Sequence, residues 1–278
     1  MRILFLGDVV GKAGRSAVRQ FLPKLRKELA PDAVLANAEN AAGGLGLTCA
    51  TADELLSAGA DILTSGNHIW KHREIFSRLE KDRRILRPAN YPEGAPGRGC
   101  SVFTLKDGRR LAVLNLLGLT FMEPLACPFH MADALVKELD GASSDMAGRS
   151  EGERECVRVR LVDFHAEATA EKKALGWLLD GRVSAVLGTH THVQTADAQL
   201  LPKGTAYLTD LGMCGVEQSS LGMDFDVALE RFMTRMPTGF KTAAGELSLN
   251  GAFLDIDDET GRARSIRLIR ENCPSAQH

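Results

Sequence analysis

Short apolar runs that end in polar residues recur along this chain, and this pattern restricts its fold more than any other feature. Residues 3–6 are a continuous apolar run, and residues 33–36 and 183–187 are short, mainly apolar runs, which is typical of buried strands. Apolar residues at helical spacing over residues 15–29 follow the first run. The sequence therefore predicts an α/β fold, in which functional sites lie beyond the carboxyl ends of the strands.

Two further predicted strands, residues 61–65 and 157–164, end in the same kind of residue. The polar residues at the five strand ends are Asp8, Glu39, Asn40, Asn67, His68, His165, His190 and His192. Taken singly, each has an ordinary alternative as a turn residue, a helix cap or a polar loop residue. Taken together, carboxylate, amide and imidazole groups without a thiol indicate a site for manganese, iron or zinc. We expect two ions that share a bridging carboxylate, because eight donors exceed what one ion needs.

A pair of metal ions about 3.5–4 Å apart is a common device for the hydrolysis of phosphoesters. Such ions neutralise the phosphate oxygens and lower the pKa of a bridging water, so that a hydroxide can attack phosphorus in line with the leaving oxygen. The leaving oxygen then needs a proton. We expect His68, which follows the candidate ligand Asn67, to supply it as the general acid.

Glycine-rich stretches follow the first two predicted strands but match no nucleotide-binding motif. The stretch from Gly7 to Gly14 has neither the spacing of a P-loop nor that of a dinucleotide-binding loop, and it predicts a tight turn into a helix. Glycine also lets a backbone approach a ligand closely. We therefore expect Gly43, Gly44 and Thr48 to shape the substrate side of the cleft, although Thr48 is also a good N-cap for a helix to residue 56.

The rest of the chain completes a single predicted domain over residues 1–278. We expect helices over residues 70–79, 132–139, 169 or 170 to 179, and 226–235. We also expect a turn at 210–213 and hairpins that pair 100–105 with 109–116, 198–201 with 205–208 and 247–256 with 264–269. Residues 121–130 predict an irregular loop, either a lid over the cleft or an oligomer contact. Residues 141–155 predict a polar segment without regular structure.

The composition excludes several classes of protein. The formal net charge of −2 gives no bulk attraction to nucleic acid or to an anionic membrane. Six cysteines without a C-x-x-C pair indicate reduced thiols, and not a disulfide framework or a zinc ribbon. The first apolar run is too short for a signal peptide, and no run approaches the roughly 20 apolar residues of a membrane span. We therefore expect a cytoplasmic protein.

Five motif blocks resemble those of the calcineurin-like metallophosphoesterases, and most closely those of the YmdB-like bacterial phosphodiesterases. The blocks are residues 7–11 (GDVVG), 37–40 (NAEN), 64–68 (TSGNH), 163–167 (DFHAE) and 188–192 (GTHTH). The chain departs from the general superfamily pattern in two places. Val10 stands where the first block usually has a histidine ligand, and Glu39 stands where the second block usually has a bridging aspartate. In the YmdB-like branch, Asn40 fills the gap left by the histidine.

The resemblance implies a four-layer α/β/β/α sandwich with mixed sheets and the hydrolysis of cyclic nucleotides, with 2′,3′-cyclic nucleotides as the first expectation. It implies one ion held by Asp8, Glu39, Asn40 and His192 and a second held by Glu39, Asn67, His165 and His190. Glu39 then bridges the two ions, and His68 stays free as the general acid. We expect iron or manganese, with zinc or magnesium as alternatives, since an amide is a weaker donor than the imidazole it replaces.

Two other functions stay open at the level of sequence. A phosphomonoesterase or protein phosphatase would use the same pair of metal ions, because the shape of the cleft cannot be read from the sequence. A metal-stabilised regulatory protein associated with RNA would keep the fold without catalysis, but loss of ligands or of the acid is then expected, and all eight positions are filled. A homo-oligomer is compatible with each of these functions.

Overall fold

The computed structural model describes residues 1–141, 157–239 and 241–273. Strands and helices alternate through most of these residues, and their bounds are β1 Arg2–Val9, α1 Gly11–Leu29, β2 Ala33–Asn37, α2 Cys49–Ser57, β3 Ile62–Thr64, α3 Ile75–Lys81, β4 Cys100–Thr104, β5 Arg110–Leu117, α4 Pro128–Leu139, β6 Val159–His165, α5 Thr169–Leu179, β7 Ala185–Thr189, β8 Gln199–Leu200, β9 Ala206–Leu208, β10 Met213–Val216, α6 Phe225–Thr234, β11 Leu247–Ile256 and β12 Ala263–Asn272.

The strands form two mixed sheets of six strands each. The first sheet has the order β12-β11-β10-β1-β2-β3, in which β1, β2, β3 and β10 are parallel and β11 and β12 run antiparallel to their neighbours. The second has the order β4-β5-β6-β7-β9-β8, with β5, β6, β7 and β9 parallel and the two edge strands antiparallel. Each sheet therefore has a run of parallel strands whose carboxyl ends share one edge.

Alternating side chains of each sheet fill three separate apolar cores. In β1, Leu4 and Leu6 pack against helices α1 and α2, whereas Ile3 and Phe5 pack between the sheets. The second sheet repeats this division, and its outer face packs against α4 and α5. Because successive side chains of a strand point to opposite faces, each sheet is covered on both sides. The predicted four-layer α/β/β/α sandwich is confirmed.

Two strand boundaries differ from the sequence predictions. Strand β1 continues beyond the predicted run of residues 3–6, because Asp8 and Val9 still pair with Met213 and Cys214. The predicted turn at 210–213 ends one residue earlier than expected, because Met213 already belongs to the short strand β10. Asp8 is therefore held inside the hydrogen-bonded ladder and not on a free turn.

The predicted helix over residues 70–79 is wrong as one element. It divides into a 3₁₀ turn over Ile69–Lys71 and α3, because His72 between them is extended, with φ −120° and ψ 112°. The ring of His72 hydrogen-bonds the carbonyl of Leu45 at 3.1 Å, which keeps this residue outside either helix. The interruption ties the segment after β3 to the glycine-rich loop after β2.

The three predicted hairpins are present, and the loop predicted over residues 121–130 is shorter than expected. Pro128 begins α4, since its missing N–H costs nothing at a helix start. Residues 142–155 of the predicted polar segment lie outside the described residues. The five cysteines of the described residues are free thiols. A search of those same residues found no helix with the length and apolar character that a bilayer crossing requires.

Candidate metal centre

The eight predicted residues follow the carboxyl ends of parallel strands in both sheets. In the first sheet, Asp8 is near the end of β1, Glu39 and Asn40 follow β2, and Asn67 and His68 follow β3. In the second sheet, His165 ends β6, and His190 and His192 follow β7. The structure joins seven of them by direct contacts, and Asn67 lies in the chain beside His68. The two sheets thus contribute to one cluster.

Glu39 lies at the centre of this cluster and is fully buried. Its Oε1 lies 3.0 Å from Nε2 of His165 and 3.4 Å from Nδ1 of His68. The Asn40 side chain donates to the same oxygen at 3.0 Å, and the backbone N–H of His68 donates to Oε2 at 3.1 Å. One carboxylate therefore reaches groups of both sheets, as a bridging ligand must.

Asp8 contacts the histidines of the second sheet. Its Oδ2 accepts a hydrogen bond from the backbone N–H of His190 at 3.0 Å. Its Oδ1 lies 3.6 Å from Nε2 of His192 and 3.9 Å from Nδ1 of His165. The His165 and His190 rings meet edge to face, with Nδ1 of His190 3.0 Å from Nε2 of His165. Asp8 and these three histidines therefore lie in one cluster.

The residues present fit a metal centre on two observations. Ligand atoms of Glu39, His165 and His190 lie within 4.8 Å of one another, so one cation can contact all three. The buried Oδ1 atoms of Asp8 and Asn67 have no hydrogen-bond partner. An unsatisfied buried acceptor costs about 1–3 kcal/mol, and bound cations would satisfy these two atoms. This mixed oxygen and nitrogen donor set suits a divalent transition metal.

Gly66 leaves the space in which these ligands meet. A Cβ at this residue would lie 2.3 Å from Oε2 of Glu39 and from Nε2 of His165. Real side chains do not approach so closely, and both groups are buried. The glycine that precedes Asn67 is therefore required by the close approach of two candidate ligands from different sheets.

Buried groups behind His165 orient its ring. Nδ1 of His165 lies 2.9 Å from Oγ1 of Thr189, and this hydroxyl donates to Asp163 at 2.7 Å. Because its own proton goes to Asp163, Thr189 accepts the Nδ1–H of the histidine. Nε2 is then the nitrogen that faces Glu39 and the cluster, an arrangement common among metal-binding histidines.

A buried ion pair supports the loop that carries His190 and His192. Nζ of Lys172 donates to Asp210 at 2.7 Å and to the carbonyl of Thr189 at 2.8 Å. Asp210 also accepts from the backbone N–H of Thr191 at 3.0 Å and from its hydroxyl at 2.7 Å. The histidines on either side have positive φ angles, 98° and 66°. Such angles cost about 1–3 kcal/mol each, and the Asp210 contacts hold the loop in this conformation.

The charges of the cluster shift the pKa values of its members. Burial raises the pKa of Glu39, but the neighbouring His165 outweighs it and holds the pKa well below the ordinary value. Burial and the His165 ring lower the pKa of His190 to about 3. Burial also lowers the pKa of His192, but Asp8 outweighs it and raises the pKa to about 9. His190 is therefore neutral near pH 7, which is the form that binds metals.

His68 lies at the edge of the cluster and lines the open cleft. Its Nδ1 lies 2.8 Å from Oδ1 of Asn40. Since an amide oxygen only accepts, Nδ1 carries a hydrogen and Nε2 is the free position of the ring. The Asn40 amide turns its nitrogen toward Glu39 and toward Nε2 of His192, at 3.0 and 3.1 Å. In this orientation the Asn40 oxygen orients His68 and does not face the cluster, so its predicted role as a ligand requires rotation of the amide.

A cleft of about 680 Å³ opens above the cluster. Glu39, Asn40, His68, His190 and His192 line one side of it. Another part of the cleft wall comes from α6 and the turn before it, and includes Leu221, Met223, Ala228, Arg231, Phe232 and Arg235. This wall was not predicted from the sequence, because helical periodicity predicts α6 but not the element it faces. Residues 121–129 do not line the cleft within the described part of the chain.

The three predicted substrate residues occupy different environments. Gly44 lines the cleft. A Cβ at Gly43 would meet no atom within 4 Å, so that glycine borders open space. Thr48 is the N-cap of α2, where its hydroxyl accepts from the backbone N–H of Thr51 at 3.2 Å in a reciprocal capping box. The alternative helix-cap role of Thr48 is therefore observed, and the substrate roles stay predictions.

A four-layer sandwich with carboxylates and imidazoles gathered at the shared strand edges defines a protein of the metallophosphoesterase class. The profile of the YmdB-like protein family matches residues 4–269, and the chain belongs to this family. It is 47% identical over 272 residues to the 2′,3′-cyclic-nucleotide 2′-phosphodiesterase of Bacillus subtilis (strain 168), covering 98% of this chain and 97% of the relative.

Two solved structures share the fold over nearly their whole length. A hypothetical protein from Thermus thermophilus superposes with a TM-score of 0.88 at 41% identity, covering 99% of this chain and 100% of the other. A novel phosphatase from Mycoplasma pneumoniae superposes with a TM-score of 0.87 at 32% identity, covering 98% of this chain and 93% of the other. The family resemblance inferred from the five motif blocks is confirmed.

Proposed function

We propose that this protein is a metal-dependent phosphodiesterase that hydrolyses 2′,3′-cyclic nucleotides. The observation that carries the proposal is the meeting of Glu39, His165 and His190 ligand atoms within 4.8 Å at the floor of an open cleft. The substrate class is supported by the 47% identity to a relative named as a phosphodiesterase of these nucleotides.

We propose two ions at this site, with iron or manganese preferred over zinc or magnesium. Asp8, Glu39, Asn40 and His192 would hold one, and Glu39, Asn67, His165 and His190 the other. When bound, two such cations supply charge neutralisation for the phosphate and a water of lowered pKa. The buried Oδ1 atoms of Asp8 and Asn67, which accept no hydrogen bond, support these assignments.

His68 acts as the general acid in this proposal. The His68 ring lines the cleft, so its Nε2 is the nitrogen that can carry the transferable proton. Hydrolysis adds a hydroxyl group to phosphorus and breaks one of the two ring P–O bonds. The released ribose oxygen takes the proton from Nε2 of His68, which water then restores. Cleavage of the 2′ ester bond leaves the phosphate on the 3′ oxygen.

The proposal is tested with 2′,3′-cyclic AMP and protein supplied with Mn²⁺ or Fe²⁺. We expect release of adenosine 3′-monophosphate, which chromatography separates from the 2′ isomer. A Glu39→Gln variant tests whether the activity belongs to this site, because it removes the charge of the central carboxylate with little change in shape. Absence of hydrolysis by the metal-loaded wild type, or equal activity in the variant, overturns the proposal.

A phosphomonoesterase is the second candidate, and one similar solved structure is described as that of a phosphatase. A monoester carries more charge and less bulk than a cyclic diester at the same site. Parallel assays with 3′-AMP, p-nitrophenyl phosphate and 2′,3′-cyclic AMP separate the two activities. We expect kcat/KM to be highest for the cyclic diester, and a higher value for either monoester would favour the phosphatase.

A further inference from the structure

Helix α6 carries two arginines that line the cleft and have no protein partner. The side chains of Arg231 and Arg235 make no hydrogen bond or ion pair within residues 1–141, 157–239 and 241–273. By contrast, Glu167, on the metal side of the cleft, contacts Nε2 of His190 at 3.2 Å. The part of the cleft wall formed by α6 therefore presents two uncompensated guanidinium groups, the side chain best suited to bind phosphate.

The backbone at Arg235 supports a role in binding. This residue ends α6 with a left-handed φ of 60°, where glycine is the usual residue. Arg235 thus keeps a long charged side chain at the cleft despite an unfavourable backbone angle. Residues held in such conformations cluster at ligand-binding sites.

Helix α6 also contributes little to the apolar core. Of its ten residues only Ala228 is buried, and the ring of Phe232 is 68% exposed although it lines the cleft. The turn before α6 nevertheless contacts the candidate metal centre, since the Leu221 carbonyl lies 3.0 Å from Nδ1 of His192. The helix is therefore held beside the cluster while its side chains stay free to contact a ligand.

We propose that Arg231 and Arg235 form a subsite for a second, non-reacting phosphate of the substrate, beside an exposed ring face on Phe232 that can stack on a base. The substrate class would then be nucleotides or short RNA 3′ ends that carry a 2′,3′-cyclic phosphate and a further phosphate on the 5′ side. This inference rests on the proposed function, because the reacting phosphate must occupy the candidate metal centre.

Two substrates that differ by one phosphate test the subsite. Adenosine 2′,3′-cyclic phosphate is compared with the same compound bearing a 5′-phosphate, and kcat/KM is measured for each with the metal-loaded enzyme. We expect the 5′-phosphate to raise kcat/KM by about tenfold or more, mainly by lowering KM. Charge-assisted hydrogen bonds from the two arginines to this phosphate would account for an increase of that size. Equal values for the two substrates overturn the subsite and leave the proposed function intact.

An Arg231→Met/Arg235→Met double variant assigns the effect to α6. We expect the advantage of the 5′-phosphate to fall below about twofold in this variant, because both guanidinium groups are gone. Arg264→Met is the matched control, because Arg264 is an exposed arginine on β12 that pairs with Asp257 outside the cleft. An advantage that survives in the double variant, or falls equally in the control, overturns the assignment. Failure of the wild type on both substrates instead overturns the proposed function.

Discussion

Oε1 of Glu39 and Nε2 of His165 lie 3.0 Å apart although the two residues belong to different sheets. Glu39 follows β2 of the first sheet, and His165 ends β6 of the second. Their contact is possible because the parallel strands of both sheets present their carboxyl ends to the same volume. The candidate metal centre therefore depends on the packing of the two sheets.

Substitution of Gly66 by alanine is expected to abolish metal binding. The new methyl group would lie 2.2–2.3 Å from atoms of His165 and Glu39, so at least one of them must move. Activity should fall with metal content, as measured by elemental analysis and by turnover of a phosphodiester. Gly239→Ala is the control, because a Cβ there meets no atom within 4 Å. A Gly66→Ala protein with full metal content would refute this geometry.

Substitution of Asn67 by alanine should hardly change the stability of the metal-free protein. It should strongly reduce the stability of the metal-loaded protein. The buried Oδ1 of Asn67 has no partner to lose in the metal-free state. A metal at about one hundred times its Kd stabilises the wild type by about 2.7 kcal/mol. Thermal unfolding with and without Mn²⁺ should show that most of this gain is lost in the variant.

Asn90→Ala is the control for Asn67→Ala, and we expect it to affect the stability of the metal-free protein but not the stabilisation by metal. The Asn90 amide donates to the carbonyls of Leu117 and Ala126 and accepts from the backbone of Leu117. Its removal should destabilise the metal-free protein by about 1–3 kcal/mol and leave the gain from Mn²⁺ intact. If the two variants behave alike, Asn67 has no special relation to the metal.

Replacement of His68 by alanine should lower kcat while the metal stays bound. The loss should be about 10²–10⁴-fold, the usual contribution of a positioned general acid. His130→Ala, at an exposed histidine on α4, should retain wild-type kcat. Loss of metal in the His68 variant, or undiminished turnover, would count against its role as the acid.

Replacement of Thr48 by alanine distinguishes a helix cap from a substrate contact. Loss of the cap of α2 should reduce the free energy of unfolding by about 1 kcal/mol, as urea denaturation would measure. KM for a cyclic nucleotide should stay close to the wild-type value. A large rise in KM without loss of stability would instead support the substrate role predicted from the sequence.

The layers of the fold and the candidate ligands could both be predicted from the sequence. Apolar runs predict the parallel strands, and a polar residue within a few positions after each run, such as Asn67 or His165, is visible without a structure. The ends of strands were less predictable where the residues that pair with them are distant in the sequence. Asp8 and Val9 extend β1 only because Met213 and Cys214 lie beside them.

Other features depend on three-dimensional contacts that no local pattern encodes. Lys172 lies on a helix and Asp210 after a strand, and only the packed structure shows that they support the His190 loop. The orientation of the Asn40 amide depends on His68 and His192. The position of Arg231 and Arg235 in the cleft wall depends on where α6 packs after the chain has folded.

The most direct test of the candidate metal centre is elemental analysis of protein purified without chelators and then supplied with Fe²⁺ or Mn²⁺. We expect two transition-metal ions per chain in the wild type and fewer than one in Glu39→Gln, since this residue is the proposed bridge. A wild-type chain that binds no transition metal, or a Glu39→Gln chain that retains both ions, would contradict the account.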